Sequence, residues 1–205
     1  MVAAVQSHST IPVLFPANRQ AGLRRLHAFL PHVASYAKDR NFDRPGHREV
    51  SRLSPYLRHR LVSEAEVVDA VLGRASYRDA EKFIHEVCWR TYSKGFLELH
   101  PSVWKSFLKS VEDEETRLSR HESERLRAAR NGQTGIACYD AWVRELLETG
   151  YLHNHARMWF ASIWIFTLRL PWSLGAAFFL KHLFDGDPAS NTLGWRWVAG
   201  LHTQG

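Results

Sequence analysis

Asp185-Gly186-Asp187-Pro188-Ala189-Ser190-Asn191-Thr192-Leu193-Gly194-Trp195-Arg196-Trp197 sets two acids, an amide and two tryptophans within thirteen residues. Two carboxylates separated by one glycine can both accept hydrogen bonds from a single ligand, and the Asn191 amide adds a donor and an acceptor. Gly186, Pro188, Ser190 and Asn191 are turn formers, so a loop that aims its polar groups is expected here. A plainer role is also open, in which Asp and Asn cap a helix beginning near Leu193. Capping explains one residue and leaves the paired acids and the Trp195-x-Trp197 spacing unexplained.

Other spacings carry chemistry of their own. Glu86 and Arg90 stand four apart and can pair on one helix, with Trp89 three from Glu86 on the same face. By itself this reads as a surface ion pair beside a core tryptophan. Ser51 and Ser54, with the amides around them near a helix start, can supply donors to a phosphate, and Arg52 adds charge or pairs with an acid. Alone, Ser51-Arg52-Leu53-Ser54-Pro55 is equally an ordinary helix cap. His153-Asn154-His155 raises the question of a metal, but residues two apart on a helix diverge and no third ligand is suitably spaced, so none is expected. The eight tryptophans allow electrons to hop between indoles, although core packing is the plain role of each one.

The elements that must position these groups are helices. Between residues 19 and 40, Leu23, Leu26, Leu30 and Val33 recur at three- and four-residue spacing, with Pro31 expected to kink or split the segment. Ser63 and Glu66 form a capping box ahead of Val67, Val68, Val71 and Leu72. Tyr77 to Leu99 is expected as one long helix ended by His100-Pro101. Residues 112–130 are charge-dense and read as an exposed helix or loop. Asn131-Gly132 breaks the chain, and Ala137 to Glu148 is helical until Thr149-Gly150. Helices over residues 154–170 and 174–184 follow, separated by Pro171 and Trp172. No alternating strand pattern of useful length and no repeat is present, so one all-α domain over residues 1–205 is expected.

Composition narrows the class. Hydrophobic residues make up 45% of the 205, which fits a globular chain and argues against disorder. The net charge is +6, and residues 1–60 hold ten Lys or Arg against Asp39, Asp43 and Glu49. That excess suits a polyanion such as DNA, or a phosphate-bearing cofactor; a merely solvated basic face is the alternative. Cys88 and Cys138 form no Cys-x-x-Cys, so reduced thiols and a cytoplasmic location are expected. No secretory leader is read at the N-terminus. The longest apolar run, Met158 to Leu168, is short of the roughly 20 residues that span a bilayer, so no membrane partner is expected.

Four of these segments together resemble the DNA photolyase and cryptochrome family. Ser51-Arg52-Leu53-Ser54-Pro55-Tyr56-Leu57 is similar to its phosphate-binding turn, and Glu86-Val87-Cys88-Trp89-Arg90 to its Glu-x-x-Trp-Arg helix. Thr149-Gly150-Tyr151-Leu152-His153-Asn154-His155-Ala156-Arg157-Met158 is similar to its Thr-Gly-(aromatic)-x-His-Asn-x-x-Arg-Met helix start. The acidic block opening this section resembles its flavin signature. The order is the family's, and the resemblance runs from about Phe15 to the last residue.

The resemblance implies a helical FAD-binding domain and blue-light repair of cyclobutane pyrimidine dimers in DNA. The alternatives are a non-catalytic photoreceptor and a DNA-binding remnant without FAD. It implies that Tyr36, Ser51, Arg52, Leu53 and Ser54 meet the cofactor's phosphates and ribityl chain. Asn154, Arg157, Asp185, Asp187 and Asn191 would complete the cradle, with Arg157 paired to Asp185, Asp187 at the flavin N3-H and Asn191 at N5. Glu86 would touch the lesion, Trp89 stack on it, Met158 line its pocket, and Arg90, Arg144 and Trp197 face DNA. Trp195 and Trp172 match the first two members of an electron-carrying tryptophan triad whose third is missing, with Trp104 or a tyrosine as a substitute. Asn154 and Met158 stand where the subfamily acting on the other photoproduct carries histidines, which favours the cyclobutane dimer. Three departures stand out: Val50 replaces a frequent Thr, Ser93 replaces a frequent aromatic, and the chain ends at Gly205 where relatives continue. No antenna domain precedes the helices, so no antenna chromophore is expected, and the oligomeric state stays open.

Overall fold

In the computed structural model, residues 14–201 are described; the leader reading concerns residues outside that range. Eleven α-helices are present among them and no strand. None of the described helices is long and apolar enough to cross a membrane.

The chain enters through α1 (Arg19–Phe29), whose cap is Asn18 accepting from the Ala21 amide at 2.9 Å. Pro31 does split the segment: a 3-10 turn, Leu30–His32, joins α1 to α2 (Val33–Asp39). An irregular stretch then leads to the short α3 (Ser54–Arg58). That stretch is fastened at His47, whose Nε2 meets Glu145 Oε1 at 2.6 Å while its Nδ1 lies 3.2 Å from Asp43 Oδ1. The Trp142 indole also donates to Asp43, at 3.2 Å. These contacts tie residues 43–47 to a helix a hundred residues later and so fix where residues 50–54 begin.

α4 (Glu64–Leu72) opens on the expected capping box of Ser63 and Glu66. Glu66 is drawn down to about 2, chiefly by its hydrogen bond from Arg19. α5 (Tyr77–Leu99) runs unbroken for 23 residues, as its periodicity predicts, and packs against α2, α4 and α11. α6 (Pro101–Arg117) follows at once, with Pro101 in the first turn, where its missing N–H costs nothing. α7 (Arg120–Asn131) starts at a second capping box, Ser119 with Glu122. The charge-dense residues 112–130 are thus two helices broken at Leu118-Ser119. α8 (Ala137–Thr149) ends at Gly150 in the left-handed region.

α9 (Asn154–Ser162) is capped by His153, whose buried Nδ1 accepts the His155 amide at 3.2 Å. It passes into a π-turn, Ile163–Thr167, and so is shorter than its apolar run suggests. α10 (Trp172–His182) follows. The loop expected over residues 185–197 is a helix instead: α11 spans Pro188–Val198. Asp187 is its N-cap, accepting from the amides of Ala189 and Ser190, both at 3.0 Å. Turn-forming residues that suggest a loop are here the cap, first-turn proline and polar first turn of a helix.

Two clusters of buried side chains form the interior. One joins α1 to α5 through Leu26, Phe29, Val33, Tyr36, Leu53, Tyr56, Val67 and Phe83. The other joins α6 to α11 through Phe107, Tyr139, Leu152, Phe160, Trp164, Leu174, Phe179 and Trp195.

Candidate flavin and lesion site

A cavity of about 470 Å³ lies on the seam between these clusters. Its walls take Tyr36, Leu53, Leu57, Phe83, Val87 and Tyr151 from the first and Leu152, Ala161, Phe179, Leu183 and Trp195 from the second. Elements distant in sequence thus meet at one opening. The volume is in the range of ligand pockets, and the mixture of apolar wall with a few polar groups is what such pockets show.

Nearly all the polar groups singled out from the sequence line it: Ser51, Arg52, Ser54, Glu86, Arg90, Asn154, Arg157, Asp185, Asp187 and Asn191. The Arg157–Asp185 pairing is present, with Nη2 donating to Oδ2 at 3.0 Å. Arg157 Nε donates in addition to the Leu152 carbonyl at 2.9 Å, so the guanidinium is held at two edges. Burial works to raise the Asp185 carboxyl, but Arg157, the Ser54 hydroxyl and Arg90 together hold it below the usual aspartate range. It is therefore an anion at neutral pH.

Asp187 does two things. Oδ1 caps α11, while Oδ2 lies 3.5 Å from Arg58, 3.8 Å from Arg90 and 3.9 Å from Lys94. Three cations around one buried carboxylate leave excess positive charge at this end of the cavity. Burial lowers Arg90 without neutralising it. With both oxygens so engaged, Asp187 meets a ligand as a cap and a counter-ion first.

The i,i+4 pairing of Glu86 with Arg90 does not form. Glu86 is bound by Arg40, and Arg90, with its side chain 12% exposed, turns inward to Asp187. A desolvated guanidinium gains more from the buried carboxylates than from a partly exposed neighbour on its own helix that Arg40 already holds. Arg90 is accordingly an interior group and not the DNA-facing one expected. Burial, with the Glu86 charge adding to it, pushes the Tyr36 hydroxyl up to about 12.

Arg52 sits with φ of 50°, in the left-handed region that non-glycine residues rarely occupy. Its pKa is lowered by burial and by the Arg25 charge. A strained, half-buried cation at the cavity edge suits an anionic ligand. Asn191 donates Nδ2 to the Ala176 backbone carbonyl at 2.8 Å, which fixes the amide in the cavity wall.

The rim is aromatic. Trp89 and Trp197 line the cavity and are 56% and 52% exposed, with Met158 also in the wall. Trp195 is buried in the wall, whereas Trp172 lies outside it, its ring 5.7 Å from Phe107. Arg144 is exposed on α8 and is not part of the lining. Those two residues stand apart because Trp172 begins α10 facing α6, and Arg144 occupies the outer face of α8. No group of three potential metal ligands occurs among the described residues. Both cysteines are free and exposed.

Sequence reading overlooked Arg40, Arg58 and Lys94. A signal was available: each stands four residues after a group already singled out, namely Tyr36, Ser54 and Arg90.

Comparison with known proteins agrees with this geometry. The family described as the FAD binding domain of DNA photolyase matches residues 83–205. The chain belongs to that family, and its cofactor class is FAD. A deoxyribodipyrimidine photo-lyase of Streptomyces griseus is 33% identical over 94% of this chain and 41% of its own length. One from Thermus thermophilus is 37% identical over 89% of this chain and 42% of its own. Among solved structures, a class III photolyase from Agrobacterium tumefaciens superposes with a TM-score of 0.76 at 29% identity, over 91% of this chain and 39% of that one. A cryptochrome from Synechocystis gives 0.81 at 26%, over 94% and 41%. The chain thus spans about two fifths of these relatives.

The residues fit FAD. Three buried polar atoms of the wall, Arg90 Nη1, Asp185 Oδ1 and Ser190 Oγ, have no hydrogen-bond partner in the protein. Buried groups of this kind are normally satisfied, and the polar edges of a bound dinucleotide would satisfy them here. The apolar walls between them suit the flat rings of a dinucleotide.

Proposed function

We propose that this protein holds FAD and uses it for light-driven repair of cyclobutane pyrimidine dimers in DNA. The observation that carries the proposal is the seam cavity: a charged, partly orphaned polar interior opening through a rim of two half-exposed tryptophans. When bound and reduced, FAD supplies a photoexcited electron for the dimer and takes it back once the ring has split.

The chain's own residues do the rest. Ser51, Ser54 and Arg52 would hold the phosphates, where backbone amides at the start of a short helix add donors. Tyr36 and Leu53 would flank the ribityl chain. Arg157, clamped by Asp185 and Leu152, presents a fixed charge to the ring edge. Asn191, with its amide nitrogen bonded to the Ala176 carbonyl, would accept a hydrogen bond from a protonated flavin N5 through its oxygen. Asn154 and Asp187 close the cradle. On the lesion side, Trp89 and Trp197 give stacking surfaces worth about 1–3 kcal/mol per base, which offsets part of the cost of unstacking a dimer. Glu86, steadied by Arg40, lines the same cavity and would accept from a base, and Met158 is part of the wall. The +6 charge draws the DNA backbone non-specifically.

The test is reconstitution with FAD, chemical reduction and illumination with a dimer-containing oligonucleotide. Recovery of base absorbance is expected, and Glu86→Ala should slow it more than it lowers flavin content. The likeness to a cryptochrome favours one rival, a photoreceptor. It gains if the protein takes up FAD and responds to light while the dimers persist.

A further inference from the structure

Resting on the repair reading, we propose a second nucleobase site beside the cavity, made by the stacked indoles of Trp142 and Trp159. It takes the base next to the pyrimidine dimer on the damaged strand, while the dimer itself enters the cavity.

Helix α9 places this site. Asn154 and Met158, four apart, line the cavity, and His155 and Trp159 follow each of them by one residue. The helix therefore carries two neighbouring stripes, one turned into the cavity and one beside it. The second stripe stays close to the opening, because His155 feels the charges of Arg40 and Glu86, and Glu86 is in the cavity lining.

The Trp159 ring lies 5.9 Å from Trp142 with planes at 28°, and 5.9 Å from His155 with planes at 55°. Trp142 is held in place from the far side. Its indole N–H donates to Asp43 at 3.2 Å, and Asp43 lies 3.2 Å from a ring nitrogen of His47, whose other nitrogen meets Glu145 at 2.6 Å. Trp159 nevertheless leaves 45% of its surface open. An indole braced by a second, fixed indole and otherwise open to solvent is a preformed stacking surface, so little ordering is needed when a base settles on it. Burial keeps His155 below the ordinary histidine range, which makes it a neutral ring at neutral pH. The site therefore offers flat aromatic faces and no charge of its own. Extruding a dimer unstacks its neighbour in the strand, and that neighbour arrives where the second stripe begins. Every base has a π-face, so the site accepts whichever base stands there.

The experiment is equilibrium binding, in the dark, of single-stranded oligonucleotides that carry one dimer and one abasic site, moved position by position around it. With the parent protein, removing one base adjacent to the dimer should lower affinity roughly tenfold. Trp159→Ala should lose the same factor with the intact strand and nothing further when that base is missing. Trp159→Phe, which keeps a ring, should recover most of the loss. Trp159→Leu, which keeps apolar cover over Trp142 without a π-face, should behave as Trp159→Ala does, and this separates stacking from any loss of fold. The slope of affinity against salt should be the same in all four proteins, because no phosphate contact is removed. A flat abasic scan overturns the proposal. So does a Trp159→Leu variant that binds as the parent does, or one whose loss adds in full to that of the abasic strand. A protein that binds no dimer-containing strand sinks the repair reading and this inference together; one that prefers the damaged strand yet lacks this coupling sinks this inference alone.

Discussion

Asp185 and Asp187 look alike in sequence and do different work. Asp185 is an anion fixed by Arg157, and Asp187 is a helix cap surrounded by cations. Because Asp185 sits below its unfolded value of about 3.9, its contribution to stability is present above that pH and is lost as pH falls through the lowered folded value. Asp185→Asn should therefore be less stable near neutrality, by roughly 2–4 kcal/mol, the upper part tempered by the partial exposure of Arg157. Its urea midpoint should also change less than that of the parent between neutral and strongly acidic buffer. A parallel shift of the two proteins would contradict the assignment. For Asp187 the two duties separate by substitution. Asn caps well, so Asp187→Asn should keep α11 while leaving Arg58, Arg90 and Lys94 without their shared counter-ion, whereas Asp187→Ala loses about 1 kcal/mol more from the cap alone. Thermal melts of both variants check the difference. The sequence made the pair of acids conspicuous, and the Arg157 partner followed from charge. It could not tell cap from ligand, because Gly-Asp-Pro followed by Ser and Asn serves a turn and a helix start equally.

At the scale of elements, periodicity located α5 to the residue and Pro31 located the break between α1 and α2. Those signals are local and strong. The errors lay where the deciding contact is distant. α11 is stabilised by packing on α5 and α10, which the run of turn formers does not reveal. The capping box at Ser119 was legible but hidden in a run of charges. Arg90 leaves Glu86 because Asp187 arrives from a hundred residues away. Gly150 offers a test of local geometry: φ is +65, and a Cβ there would come within 2.7 Å of the Phe184 ring. Phe184 is half exposed and can rotate aside, so the backbone cost dominates. Gly150→Ala should cost roughly 1–3 kcal/mol, read from chemical denaturation, and it should weaken FAD binding by loosening the turn before α9. A variant as stable as the parent would show that the turn tolerates a side chain.

Across the whole molecule the cavity is a seam, and its occupant touches both core clusters. A ligand there bridges the helices from α1 to α5 and those from α6 to α11, which otherwise meet chiefly through α5 and α11. Occupancy should therefore stabilise the fold as a unit. At a hundredfold excess over the dissociation constant the gain is about 2.7 kcal/mol, equivalent to roughly 5–10 °C in Tm for a chain of this size. Fold class and the roster of cavity residues were legible because four motifs converge. The seam itself was not, since no one-dimensional pattern says that two cores meet at a gap. The most direct measurement is an equilibrium titration of the purified protein with FAD, followed by flavin fluorescence and by Tm. Saturable quenching at one FAD per chain with a rising Tm, both lost in Asp185→Ala, is what this account predicts. A protein whose Tm and flavin signal stay flat across the titration would contradict it.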